Sequence, residues 1–251
     1  EEVWRYATER GIPRLFVASM MDKENASFED VIEAIKKDLT ASVVPIQLPV
    51  GEGPEFKGII DLFSKKCHMY SPGTKTGEYE EVEVPSEYQD QLEQYSQQLI
   101  EEIAATDEAL MERYFEGEEI ARQDAFAALK TGIANGDIFP LMCCSAHLTY
   151  GMRAILSELV ALVPSPAECP PVTTQVWENG ADLSLEASDG GPFVAQVFKT
   201  VAEPHVGEVS LFKVVSGKVG NGAEVYNAPR GSIEKLNHLS VAQGKDRTEV
   251  L

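Results

Sequence analysis

No stretch of this sequence approaches the ~20 consecutive apolar residues that a membrane-spanning helix requires. The longest candidate, Ala154 to Val163, is broken by Ser157 and Glu158. The four cysteines, Cys67, Cys143, Cys144 and Cys169, show no C-x-x-C spacing, which argues against a metal knuckle or a redox pair. Cys143 and Cys144 lie in a strand-like run, where successive side chains face opposite ways, so buried reduced thiols are expected. The four histidines, His68, His147, His205 and His238, are scattered with no second ligand at metal spacing. A phosphate cradle of the form G-x-x-x-x-G-K-[ST] is missing too. The two Gly-Lys pairs, Gly217-Lys218 and Gly244-Lys245, lack both the earlier glycine and the following hydroxyl. Neither G-x-S-x-G nor H-E-x-x-H occurs, so no catalytic centre is legible in the chain taken alone. The first residues, Glu1-Glu2-Val3-Trp4-Arg5, have the character of a helix interior and not of a signal or transit peptide. The chain is therefore expected to be an internal piece of a longer, cytoplasmic protein.

Positive charge is also scarce. The 251 residues hold 21 Lys and Arg against 41 Asp and Glu, a net charge of −20. The imbalance is local: from Glu78 to Ala121 there are fifteen acidic residues and one basic one, Arg113. Such a surface repels phosphate backbones, so little direct RNA binding is expected of it, and a basic protein face is its natural complement. A solvated helix surface that only maintains solubility is the plainer explanation of equal weight.

What is present is a globular composition, with 43% hydrophobic and 25% charged residues, enough for one large core or two modest ones. A helix ending at Gly11 precedes a short apolar run, Leu15 to Ala18, which predicts a strand buried on both faces. Ser27 then opens a helix with Asp30 three residues on, in the manner of a weak capping box, and Phe28, Val31, Ile32, Ile35 and Leu39 on one face. Helix, strand, helix is the pattern of a parallel α/β sheet. Val43 to Val50 carries Pro45 and Pro49 and so predicts an edge strand or an extended segment. Strands are predicted at Phe56–Phe63, Lys65–Ser71 and Tyr79–Val84. Helices should follow from Ser86, at 108–115 and at 118–134. A buried strand at Ile138–Cys144 and an amphipathic helix ending at Pro164 resume the α/β pattern. The predicted boundaries are thus an α/β portion at 1–40, an α+β insertion at 41–137 and the end of the α/β domain at 138–166. A Pro-, Gly- and Ser-rich linker at 167–191 and an incomplete β-barrel at 192–251 complete the division. Gly217 and Gly222 are expected at the positive φ of a hairpin turn.

Several motifs follow one another in an informative order. Gly11-Ile12-Pro13-Arg14-Leu15-Phe16-Val17-Ala18-Ser19-Met20-Met21-Asp22-Lys23 comes first, followed by Val44-Pro45-Ile46-Gln47-Leu48-Pro49 and Phe56-Lys57-Gly58-Ile59-Ile60-Asp61-Leu62. Cys144-Ser145-Ala146, Leu162-Val163-Pro164-Ser165-Pro166, Gly207 to Phe212 and Val215 to Val219 come later. In this order they resemble bacterial elongation factor G over essentially the whole chain. The resemblance implies a GTPase-domain portion with an α+β insertion, followed by part of a translation-factor β-barrel.

It implies also a GTP/GDP cofactor, with Ser19, Met20 and Asp22 at one base-contacting motif and Ser145, Ala146 and His147 at the other. The phosphate loop and magnesium site are expected outside this chain, so the chain alone should not hydrolyse GTP. A ribosome-dependent GTPase promoting tRNA and mRNA translocation is the implied parent, acting as a monomer. The ribosomal stalk protein is the implied partner of the acidic insertion. A degenerate ribosome-binding paralogue, or a recycling- or protection-type factor, is the alternative, because Ser19 and Met20 stand where that family has Asn and Lys. Taken by itself, Asp22 would cap the turn after a strand and Ser145-Ala146 would be a tight turn; the resemblance turns both into base contacts.

Overall fold

The structure is a computed structural model that describes residues 1–74, 76–176, 179–203, 207–244 and 246–250. His205, Lys245 of the second Gly-Lys pair and Leu251 at the end of the last expected strand lie outside the described residues. The chain divides into two compact units, Glu1–Pro164 and Ser165–Leu251.

The first unit contains α1 (Glu2–Glu9), β1 (Phe16–Ala18), α2 (Phe28–Asp38), β2 (Val43–Pro45), β3 (Gln47–Val50), β4 (Gly58–Asp61), β5 (Lys66–Tyr70) and β6 (Tyr79–Glu83). It continues with α3 (Gln89–Ala104), α4 (Glu108–Phe115), α5 (Arg122–Asn135), β7 (Phe139–Cys143) and α6 (Met152–Leu162). Strands β1, β7 and β2 form a parallel sheet in that order. Strands β3 to β6 form an antiparallel meander. Parallel neighbours need long crossovers and antiparallel ones do not. The whole meander and α3 to α5 therefore fit between β2 and β7 without disturbing the first sheet.

The prolines explain where β2 and β3 lie. Each carries one, Pro45 and Pro49, and each is the edge strand of its sheet, where a missing N–H breaks no ladder. Between them Ile46 serves both sheets: its N–H donates to Leu141 O at 3.0 Å and its carbonyl accepts from Leu62 N at 3.1 Å. The expected domain boundary at residue 40 is corrected accordingly. Val43 to Pro45 pair with β7, so the α/β sheet runs on to Pro45, and the insertion packs into the same core.

Burial follows the helical spacings. Phe28, Ile32 and Ile35 of α2, Leu92, Leu99 and Ile103 of α3, and Leu129 and Ile133 of α5 join one core with Ile59, Ile60 and Leu141. Ser27 caps α2 by accepting from Asp30 N at 3.2 Å, a contact worth about 1 kcal/mol. No reciprocal bond to Ser27 N among the described residues completes a capping box; Glu52 Oε1 instead satisfies a first-turn donor by accepting from Phe28 N at 2.7 Å. The helix expected from residue 118 begins at Arg122, since Glu118 is drawn back to Arg113, 3.1 Å away. One expectation fails in β1. Val17 is 43% exposed, because β1 is an edge of its sheet and not an interior strand.

The second unit consists of β8 (Val172–Gln175), β9 (Asp182–Leu185), β10 (Val194–Glu203), β11 (Gly207–Ser216), β12 (Glu224–Asn227), β13 (Ser232–Lys235), β14 (Ser240–Gln243) and β15 (Asp246–Glu249). These pair as four two-stranded antiparallel ribbons, and no closed barrel is formed among the described residues. The expected linker folds into the β8–β9 ribbon, with Leu185 buried at its end. Only Leu185, Ser216 and Gly217 are buried among the described residues of this unit. Ribbon pairing is local and needs no shared core, which is why the strands form although Phe198 and Ile233 stay exposed. Gly217 does adopt a positive φ of 70°, but it joins β11 to β12, which do not pair. A Cβ there would sit 2.7 Å from Phe193 N, so close backbone approach, and not a hairpin, explains that glycine.

Candidate functional site

Two loops leave the carboxyl ends of adjacent parallel strands. The pairing of Ala18 with Cys143 sets β1 and β7 level, so residues 19–23 and 144–151 emerge side by side. Ligands of open parallel sheets bind at this edge. Backbone hydrogen bonds lock the loops together: Cys144 N donates to Ala18 O at 2.9 Å, and Met21 N donates to Cys144 O at 3.1 Å. A third loop joins them, as Gly53 N donates to Met21 O at 2.8 Å.

Asp22 is the most constrained member. Its side chain is only 8% exposed, and Oδ2 lies 3.0 Å from Lys23 Nζ. Oδ1 is buried, and no donor among the described residues hydrogen-bonds to it. The Ser145 hydroxyl beside it draws the carboxyl below the usual carboxylate range; burial opposes this, and Lys23 assists. An ionised carboxylate with an enclosed free oxygen is poised to accept a donor from outside the chain, because a buried acceptor left unmet is unfavourable. That is the observation against which a guanine ring, with adjacent N1–H and N2–H donors, can be tested, and the residues fit it.

The remaining sequence-predicted residues divide. Ser145 is fully buried; its backbone N–H donates to Tyr150 O at 3.0 Å and its Oγ accepts from Leu148 N at 3.1 Å, closing the loop. Ala146 and His147 are at the loop tip, Ala146 exposed and His147 beside it. Met20 has φ 61° and is 63% exposed, so a long apolar side chain stands over the loop from a backbone conformation unusual for methionine. Ser19 is exposed, and its hydroxyl hydrogen-bonds the Cys144 thiol, whose pKa burial raises and Asp22 raises further. The structure thus places Ser19, Met20, Asp22 and Ser145 in one constellation, with Ala146 and His147 at its rim.

Sequence reasoning placed Cys144 only as a buried thiol beside the second motif, and it missed Gly53 and the strained Thr149. Thr149 has φ 64°, rare for a β-branched residue, and its Oγ1 donates to Thr74 O at 3.2 Å. Arg153 Nε donates to Thr76 O at 2.8 Å, so the β5–β6 connection is tied both to the second loop and to the first turn of α6. Gly151, with φ 82°, follows at the start of α6; a Cβ there would lie 2.6 Å from Cys143 O. Only the pairing of β1 with β7 reveals these neighbours, since they are distant in sequence.

No family model matches the sequence. A solved structure does. The chain shares its fold with a Thermus thermophilus protein of known structure, with a TM-score of 0.78 and 30% sequence identity. The match covers 99% of this chain and 34% of that one, so the chain spans about a third of its neighbour's length. Among the described residues no helix is long and apolar enough to cross a membrane.

Proposed function

We propose that this chain is part of a translational GTPase of the elongation factor G type, in which it supplies recognition of the guanine base. The observation that carries this reading is the buried, ionised Asp22 carboxylate, with its free Oδ1, beside Ser145 at the carboxyl edge of the parallel sheet. In this reading Asp22 accepts the guanine N1–H and N2–H, and the Ala146 N–H donates to O6. Ser145 holds the second loop in place, and the Met20 thioether covers one ring face. GTP or GDP is the cofactor, and the phosphate and magnesium chemistry belongs to residues outside this chain. The whole protein would then work on the ribosome in the cytoplasm, driving movement of tRNA and mRNA. Calorimetry of the full-length protein with GDP, and with ADP as control, tests this. Binding of GDP alone is expected, and no binding of either would overturn the reading.

Ser19 favours a second reading, a ribosome-binding paralogue with weakened turnover. Its hydroxyl is committed to the Cys144 thiol and is too short to tie the base to the loop as an Asn amide does. Restoring Ser19→Asn together with Met20→Lys is expected to tighten GDP binding about ten- to a hundred-fold, the worth of roughly 1–3 kcal/mol of hydrogen bonding. Unchanged affinity in titration calorimetry would show that the departure is neutral.

The acidic surface of β6, α3 and α4 is proposed to meet a basic face of the ribosomal stalk protein. If so, association should weaken steeply as salt rises from low to physiological strength, because exposed charges are screened beyond about 8–10 Å. A binding signal insensitive to salt would remove this partner.

A further inference from the structure

A second polar constellation lies away from the base-contacting loops, between the four-stranded meander and α6. Directly opposed residues of an antiparallel pair point to the same face, and residues two apart along a strand do likewise. Gln47 opposes Asp61, and Asp61 opposes Lys66, so these three share one face with His68 and Tyr70. Two points near and on α6 approach that face. Tyr150, just before the helix, stacks on Tyr70 with ring centroids 4.7 Å apart, and Glu158, farther along, lies within Coulombic reach of Asp61.

The groups gathered there lack partners. Gln47 is 1% exposed, yet neither Oε1 nor Nε2 has a hydrogen-bond partner among the described residues. Glu158 Oε2 and Ser64 Oγ are buried in the same condition. Ser64 is held beside Asp61, because its backbone N–H donates to Asp61 Oδ1 at 2.7 Å. Positive charge is short: Arg122 is the cation acting on Glu158, and burial pushes His68 toward its neutral form. Orphaned Gln47 thus stands opposite Asp61, Ser64 beside it and Glu158 within its Coulombic reach, while Lys66 on the same face is engaged by Glu83. No group of three or more His, Cys, Asp or Glu suited to a metal occurs among the described residues, so softer transition-metal ligation is not on offer. The donor set is entirely oxygen, and its two negative charges match one divalent ion.

We propose that Gln47, Asp61, Ser64 and Glu158 hold a divalent cation of the magnesium–calcium class, with water completing its shell, and that this ion fastens α6 to the insertion. The ion would deprotonate Glu158 on binding and satisfy Gln47 Oε1 and Ser64 Oγ at once. Since α6 follows directly on the loop that carries Ser145, its occupancy would stiffen that loop.

Terbium luminescence tests the site on the whole nucleotide-free chain, because Tyr70 and Tyr150 lie close enough to sensitise a bound lanthanide. Saturable one-site luminescence, displaced by Ca²⁺ or Mg²⁺, is expected. Asp61→Asn and Glu158→Gln should each weaken it by at least about tenfold, whereas Glu119→Gln on the exposed acidic surface should leave it unchanged. Glu158→Gln is the decisive variant, as it removes a buried charge and is expected to fold. Absence of saturable binding, or an equal effect of all three substitutions, would overturn the site in favour of diffuse attraction to acidic surface.

Discussion

Replacing Asp22 by alanine is expected to weaken GDP binding to the full-length protein by about 10²- to 10⁴-fold. Two hydrogen bonds to a charged acceptor contribute about 1.5–3 kcal/mol each, and the sum converts to that range. The carboxylate is already ionised at neutral pH, since the Ser145 hydroxyl holds it below the usual carboxylate range. Affinity should therefore stay level as pH falls from neutrality and drop only when the pH passes through that depressed value. Stability separates this role from a merely structural one. Asp22 Oδ1 has no partner among the described residues, but the carboxylate also engages Ser145 and Lys23, so a modest fall in melting temperature should accompany the loss of affinity. A turn-capping aspartate would behave the other way, with a lower melting temperature and unchanged GDP affinity. Calorimetry and a thermal melt on the same variant decide between them.

Glu158→Gln is expected to stabilise the cation-free chain by about 1–3 kcal/mol at pH 8. Burial, reinforced by Asp61, raises the Glu158 carboxyl from 4.5 to about 7, with Arg122 opposing. A raised acid pKa means that the folded chain binds the proton more tightly than the unfolded one. Its unfavourable contribution is absent below about pH 4.5, grows as the pH rises, and is complete above about 7. The amide removes the penalty, so the two proteins should melt alike at pH 4 and diverge by several degrees at pH 8 in the presence of a chelator. Adding Ca²⁺ or Mg²⁺ should raise the wild-type melting temperature and leave the variant where it was. Identical melting curves across the whole pH range would mean that Glu158 is solvated, and would remove the physical basis of the proposed cation site.

The two loops at the sheet edge differ in how far they could be read. Asp22 and Ser145 were legible only through the order of motifs that resembles elongation factor G, because by themselves they read as a turn cap and a tight turn. What brings them within reach of each other is the pairing of β1 with β7, whose members are separated by about a hundred and twenty residues. Local pattern carries no information about a partner so distant. Gly53 escaped notice on that account, and Cys144 read only as a buried thiol, since neither looks unusual until Met21 or Asp22 stands beside it. Met20 shows the limit of composition in another way: its residue type is ordinary, and only its positive φ marks the position as strained.

The elements themselves were decided by the sequence. Apolar residues at helical spacing placed α2, α3 and α6, and the prolines at 45 and 49 confined β2 and β3 to edges, because side-chain periodicity and missing N–H groups act over a few residues. The tertiary structure alone decided the rest. It set β2 into the parallel sheet and exposed Val17 at its edge. It folded the expected linker into a ribbon, and it left the second unit as paired ribbons with little buried between them. It also set Gln47 opposite Asp61 and brought Glu158 within Coulombic reach of Asp61. Each of these depends on which strand lies beside which, and strand pairing is settled by the burial available to the whole chain and not by any local run of residues.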